Sequence, residues 1–138
     1  MHPLTGLDHM IAMVAVGIWG AQLGAPAIFL LSITFPIVMA VGGVLGILQV
    51  PLPLQEVVIA LSALVLGTAV ATRLRMPFMF AALIVAIFAI FHGYAHGVEL
   101  PHAANPLAYG IGFVVATGVL HLCEFRSGFC CAGRSEIV

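Results

Sequence analysis

The sequence predicts an all-α fold, a polytopic transmembrane helix bundle of about five spanning helices. Three observations predict it. Of 138 residues, 63% are hydrophobic and only 7% are charged. The mean hydropathy is +1.25. The apolar residues fall in runs near the roughly 20 residues that cross a bilayer, separated by Pro and Gly clusters. A soluble domain carries about 25% charged residues, so this chain could not cover its own surface in water. Lipid removes that difficulty, because apolar side chains then face outward without penalty.

The first apolar stretch runs from near His9 to Leu23 and is the shortest. Gly24-Ala25-Pro26 ends it, and Pro suits the first turn of the helix that follows. The second stretch covers Pro26 to Leu48, with Pro36 inside it as an expected kink. Pro51-Leu52-Pro53 makes a stiff turn before the third stretch, Gln55 to Thr72. Arg73-Leu74-Arg75 follows, and Pro77 opens the fourth, which runs towards His96. Leu100 to Asn105 reads as a loop, and the fifth stretch covers Leu107 to about Leu122. The chain is thus one transmembrane helical domain over 1–125, with a short polar tail over 126–138. The short linkers make sequential helices antiparallel. Gly42 with Gly46, and Gly93 with Gly97, have the spacing that lets helix backbones approach closely in lipid.

Charge placement predicts topology. There is no Lys, and the basic residues are Arg73, Arg75, Arg126 and Arg134. With five antiparallel spans all four fall on one side, which the positive-inside rule makes cytoplasmic. The N-terminus is then outside and the C-terminus cytoplasmic. Met1-His2-Pro3 carries no basic segment of a cleavable signal, so either the first helix drives insertion or a leader has been removed. A net charge of −1 offers nucleic acid nothing to bind. The adjacent Cys130 and Cys131, with Cys123, lack zinc-site spacing and read as free thiols.

This topology brings the start of the first helix and the end of the fourth to the same, outer side. His2, Asp8 and His9 lie on the first; His92, His96 and Glu99 lie on the fourth. The last three are spaced i, i+4 and i+7 and share one helical face. Two imidazoles one turn apart can hold a divalent ion, with a carboxylate a turn further to coordinate or neutralise it. An ionised Asp in hydrocarbon costs about 2.5–3.5 kcal/mol, so Asp8 belongs near the interface or beside a cation. The blander readings stand beside these. A lone intramembrane His is more often a helix–helix hydrogen-bond partner, and His102 in its Pro-flanked loop is solvated. Met10 and Met13 would suit a soft ion but more often simply pack. Glu56 is either part of an acidic mouth or a plain interfacial charge. His121, with Cys123 and Glu124, ends the fifth helix as an exit site or an interfacial cluster.

The residues fit three functions: transport of a divalent ion, a membrane-embedded zinc metallohydrolase, or a structural accessory subunit. The absence of a Walker pattern and of any Lys excludes an ATP-binding loop. Transport is then passive, ion-coupled or driven by the membrane potential. Imidazole with carboxylate suits nickel, cobalt and zinc alike. No general base or oxyanion donor for hydrolysis stands out.

The segment His2-Pro3-Leu4-Thr5-Gly6-Leu7-Asp8-His9, followed by Met13-Val14-Ala15-Val16-Gly17, resembles a signature of the HupE/UreJ family of hydrogenase/urease accessory membrane proteins. Phe91-His92-Gly93-Tyr94-Ala95-His96-Gly97-Val98-Glu99 is similar to the family's other hallmark, and Tyr109 through Gly112-Phe113 and Ala116-Thr117 to Leu120-His121 also matches. The resemblance implies a nickel or cobalt permease of the bacterial inner membrane that is not an enzyme and carries no prosthetic group. It implies metal ligation by His2, Asp8, His9, His92, His96 and Glu99, with His121 at an exit or secondary site. The partners expected are the lipid bilayer, the transported ion, and a second copy of so small a bundle to enclose a pore.

Overall fold

A computed structural model describes residues 5–98, with side chains from Met10 onward, together with Leu100, Asn105, Leu107, Ala108, Ile111, Gly112, Val115 and Val119. Four helices follow one another: α1 (Thr5–Leu23), α2 (Ala25–Ile47), α3 (Gln55–Ala71) and α4 (Phe78–Val98). The described residues are all-helical, without strands.

Each helix end has a local cause. A single residue, Gly24, separates α1 from α2, and its φ of 108° is one that only glycine adopts without strain. The hairpin is tight: a Cβ on Gly20 would lie 3.0 Å from the Cα of Ile28. The C-terminus of α2 closes with Gln49 in the left-handed region (φ 53°). Its N–H donates to the Gly46 carbonyl at 3.0 Å, and that of Val50 donates to Leu45 at 3.1 Å. This is a Schellman motif built without glycine. α3 ends the same way, with Arg73 left-handed (φ 49°) and N–H bonds from Arg73 to Val70 and from Leu74 to Ala69. α2 runs unbroken through Pro36, although Pro36 can donate no N–H to the carbonyl of Ser32.

The C-terminal ends of α1 and α3 are tied together. The Nε1–H of Trp19 donates to the Leu74 carbonyl at 2.9 Å, and Nε2 of Gln22 donates to Val70 at 3.2 Å. Both helices therefore finish at one end of the bundle. Trp19, Met13 and Val16 of α1, Leu31, Phe35 and Met39 of α2, Leu66 of α3, and Val85 of α4 form the core.

The most extensive interface joins two helices that are not sequential, α2 and α4. They run parallel. Gly42 lies against Ile90, Gly93 against Met39 and Gly43, and Gly97 against Gly43 and Gly46. A Cβ at Gly93 would collide with the Met39 carbonyl oxygen, and one at Gly97 with the Gly43 carbonyl oxygen. Backbone therefore touches backbone along the seam, as the Gly-x-x-x-Gly spacing in both helices allows.

Outside this core the bundle is apolar and exposed. Ile33, Ile37, Val41 and Val44 on α2, and Met79 and Phe80 on α4, each expose more than 50% of their surface. Only 22% of the apolar window of α2 and 33% of that of α4 is buried, so neither is the core helix of a water-soluble domain. An apolar exterior of this extent is natural in lipid and fits a membrane location.

The count of spans differs from the expected five. Among the described residues, α2 and α4 are long and apolar enough to cross a membrane. The apolar stretches Met10–Leu23 and Gln55–Ala71 are shorter. α3 begins at Gln55-Glu56 and ends before Thr72-Arg73, which holds it to 17 residues, while α1 has 19 residues, of which Met10–Leu23 have described side chains. The fifth stretch lies mostly outside the described residues. What is described there is helical, and Asn105 Oδ1 accepts from the N–H groups of Leu107 (3.0 Å) and Ala108 (3.4 Å), an N-cap. Leu107, Ile111, Val115 and Val119 recur every four residues and are all exposed.

Candidate metal site at the α3–α4 contact

α4 is uniformly apolar until Phe91, so the imidazole that follows is conspicuous. His92 is 3% exposed and Ser62 of α3 is fully buried, and they are the polar residues that the described bundle buries. They face each other: Ser62 Oγ lies 3.5 Å from Nε2 of His92. The ring's other nitrogen, Nδ1, lies 2.9 Å from the Phe88 carbonyl oxygen one turn back. A carbonyl oxygen can only accept, so Nδ1 carries the proton. In neutral imidazole this puts the lone pair on Nε2, the form in which histidine binds metals. The Ser62 hydroxyl proton goes to the Ile59 carbonyl at 2.6 Å. The aromatic ring of Phe35, on α2, stands 6.1 Å from the imidazole, tilted by 57°. The glycine seam next to His92 fixes the rotation of α4, because Gly93 must meet α2.

His96 lies one turn further along α4 and is half-buried. The backbones of Asp8 and His9 belong to the first two turns of α1; their side chains lie outside the described residues, as do His2, His102, Glu99 and His121. Helix depth can still be compared. At about 1.5 Å per residue, His9 stands about 20 Å from the Gln22–Val70 contact along α1. On the other path, Ser62 is about 12 Å from Val70, and His96 is about 6 Å beyond its neighbour His92, roughly 18 Å in all. The start of α1 and the end of α4 therefore lie at similar depth.

Among the described residues no three His, Cys, Asp or Glu side chains converge. The expected ligand set is thus represented by His92 and His96 alone. Glu56 is exposed in the first turn of α3, where a negative charge favours the helix dipole. Met13 is buried in the core, as packing, and Met10 lies on the wall of an open apolar groove between α1 and α3.

Ser62 was not legible as a site residue. Thr68, six residues on in the same apolar helix, looks equivalent in sequence, yet it is exposed and its hydroxyl only bonds back to the Leu64 carbonyl. A lone hydroxyl in an apolar run is the available signal, and it does not distinguish the two.

Comparison with known proteins adds to this geometry. The sequence profile of the HupE / UreJ protein family matches residues 1–137. Protein HupE of Rhizobium leguminosarum bv. viciae is 49% identical over 121 residues, covering 88% of this chain and 63% of that protein. The chain thus spans less than two thirds of that relative's length. No solved structure matches.

Proposed function

The chain belongs to the HupE / UreJ family, and from that premise we propose that it is a permease for divalent transition-metal ions, nickel first and cobalt second, serving hydrogenase or urease maturation. The observation that carries this is His92, an imidazole buried among apolar helices, oriented by the Phe88 carbonyl so that Nε2 can bind an ion. A buried ionisable group in a membrane helix is costly, and a transport pathway is its commonest use. His96, one turn outward, makes a second stop on the same face. Asp8, His9 and Glu99, with His2, form the outer capture group in this reading, and His121 the exit.

The bundle completes five spans, with α1, α3 and the segment capped by Asn105 crossing beside α2 and α4. Arg73, Arg75, Arg126 and Arg134 then share the cytoplasmic side of the inner membrane, with the N-terminus outside. Entry of a divalent cation into a negative interior yields about 4.6 kcal/mol per 100 mV, so no nucleotide is required.

The test is radiolabelled nickel uptake into proteoliposomes, comparing the intact chain, empty liposomes and the double variant His92→Ala/His96→Ala, with cobalt, zinc and copper as competitors. Uptake that needs both histidines is expected, with nickel or cobalt the strongest competitor. Tight metal binding without uptake would sink the permease reading and favour a metalloenzyme or sensor.

A further inference from the structure

We infer that Phe35 is the gate that shuts the ion's way from the level of His92 to the cytoplasm, and that Pro36 is the hinge on which it opens; the inference rests on the permease reading. Inward of His92 the centre of the bundle is a continuous apolar plug. Leu66 lies four residues past Ser62, about 6 Å nearer the Trp19–Leu74 end of the bundle, and Val85 lies seven residues before His92, about 10 Å nearer that end. Gly93 packs on Met39, and Phe35 precedes Met39 by four residues on the parallel helix, so it too stands about 6 Å inward. Its ring is 6.1 Å from the imidazole. Phe35, Leu66, Val85, Leu31 and Trp19 are all fully buried. An apolar constriction so closely packed excludes water, and with it an ion.

Pro36 stands beside the gate, and the two halves of α2 around it are fastened differently. The outer half is bound to α4 by backbone contact: Gly42 lies on Ile90, and Gly43 and Gly46 lie on Gly97. The inner half, residues 25–35, has no glycine and meets the bundle through the side chains of Ala27, Leu31 and Phe35. It is joined to α1 through the single residue Gly24. Between the halves, Pro36 takes one hydrogen bond from the Ser32 carbonyl, and its ring crowds that carbonyl. The helix is therefore weakest where its fixed half meets its side-chain-packed half, and a proline is where a helix bends. Bending there carries Phe35 and Leu31 away from Leu66 and Val85, while the glycine seam holds His92 in place.

The test uses the full chain, in detergent and in proteoliposomes, with nickel as the probe. Pro36→Ala restores the missing N–H in a residue that suits a helix, so it should fold at least as well as the parent. It should bind nickel in detergent as tightly as the parent, yet lower the maximal uptake rate about fivefold or more. Leu31→Cys, in a chain whose Cys123, Cys130 and Cys131 are replaced by Ser, reports the opening directly and leaves Phe35 intact. Its thiol should resist a charged thiosulfonate reagent without nickel and react severalfold faster during nickel uptake. Pro36→Ala decides the matter if Leu31→Cys does not fold. Uptake at the parental rate by Pro36→Ala, weakened nickel binding by that variant, or labelling of Leu31→Cys that does not respond to nickel would overturn the gate and leave the permease reading standing. A parent chain that takes up no nickel would overturn both.

Discussion

Replacing Gly93 with Ala introduces a single methyl group where the structure leaves no room for one. That methyl would collide with the Met39 carbonyl oxygen, with the Met39 carbonyl carbon at 2.7 Å and the Gly43 nitrogen at 2.9 Å. All three atoms are backbone, inside α2, and none can rotate away. Carbon atoms in good contact sit about 3.5–4.0 Å apart, so α2 and α4 must separate locally by roughly 1 Å. Overpacking of this kind costs about 1–3 kcal/mol, against a helix-propensity gain of about 1 kcal/mol for Ala over Gly. Gly67→Ala is the matched control, because nothing lies within 4 Å of the point its methyl would occupy. It should be neutral or stabilising by up to about 1 kcal/mol. Unfolding of purified protein in mixed detergent and SDS, followed by helicity, measures both. The two variants should move in opposite directions, and Gly93→Ala should also weaken metal binding by shifting His92. Equal shifts for both would refute the packed glycine seam.

Other outcomes follow from the same geometry. Gln49→Gly relieves a left-handed non-glycine residue at the end of α2 and should stabilise by about 1 kcal/mol in the same unfolding assay; destabilisation would mean that the Gln49 side chain matters more than its backbone. Ile37, 60% exposed near the middle of α2, should tolerate Leu, whereas Ile37→Arg should lower the membrane-inserted fraction by about 2.5–3.5 kcal/mol in an insertion assay. Normal insertion of the Arg variant would mean that this face does not meet lipid. Trp19 is the single tryptophan and is fully buried, so its emission should be blue-shifted and resist acrylamide. A red, quenchable spectrum would remove α1 from the core.

The helices and their ends were readable from local sequence. Apolar run length and the punctuation of Gly24, Pro51-Leu52-Pro53 and Arg73-Leu74-Arg75 marked α1 to α4 to within a few residues, because helix formation and termination are local events. The placement of His92 and His96 on one face was equally legible, since helical period needs no partner. What those faces meet depends on packing between distant segments. Short linkers bear on the direction of sequential helices and not on which helices pack most closely; α2 and α4 make the main contact, in parallel, because their glycines allow backbones to touch where larger side chains would hold them apart. Ser62 shows the limit most sharply. Its hydroxyl and that of Thr68 are alike in the sequence, and only the packing of α3 against α4 turned one towards an imidazole and left the other exposed.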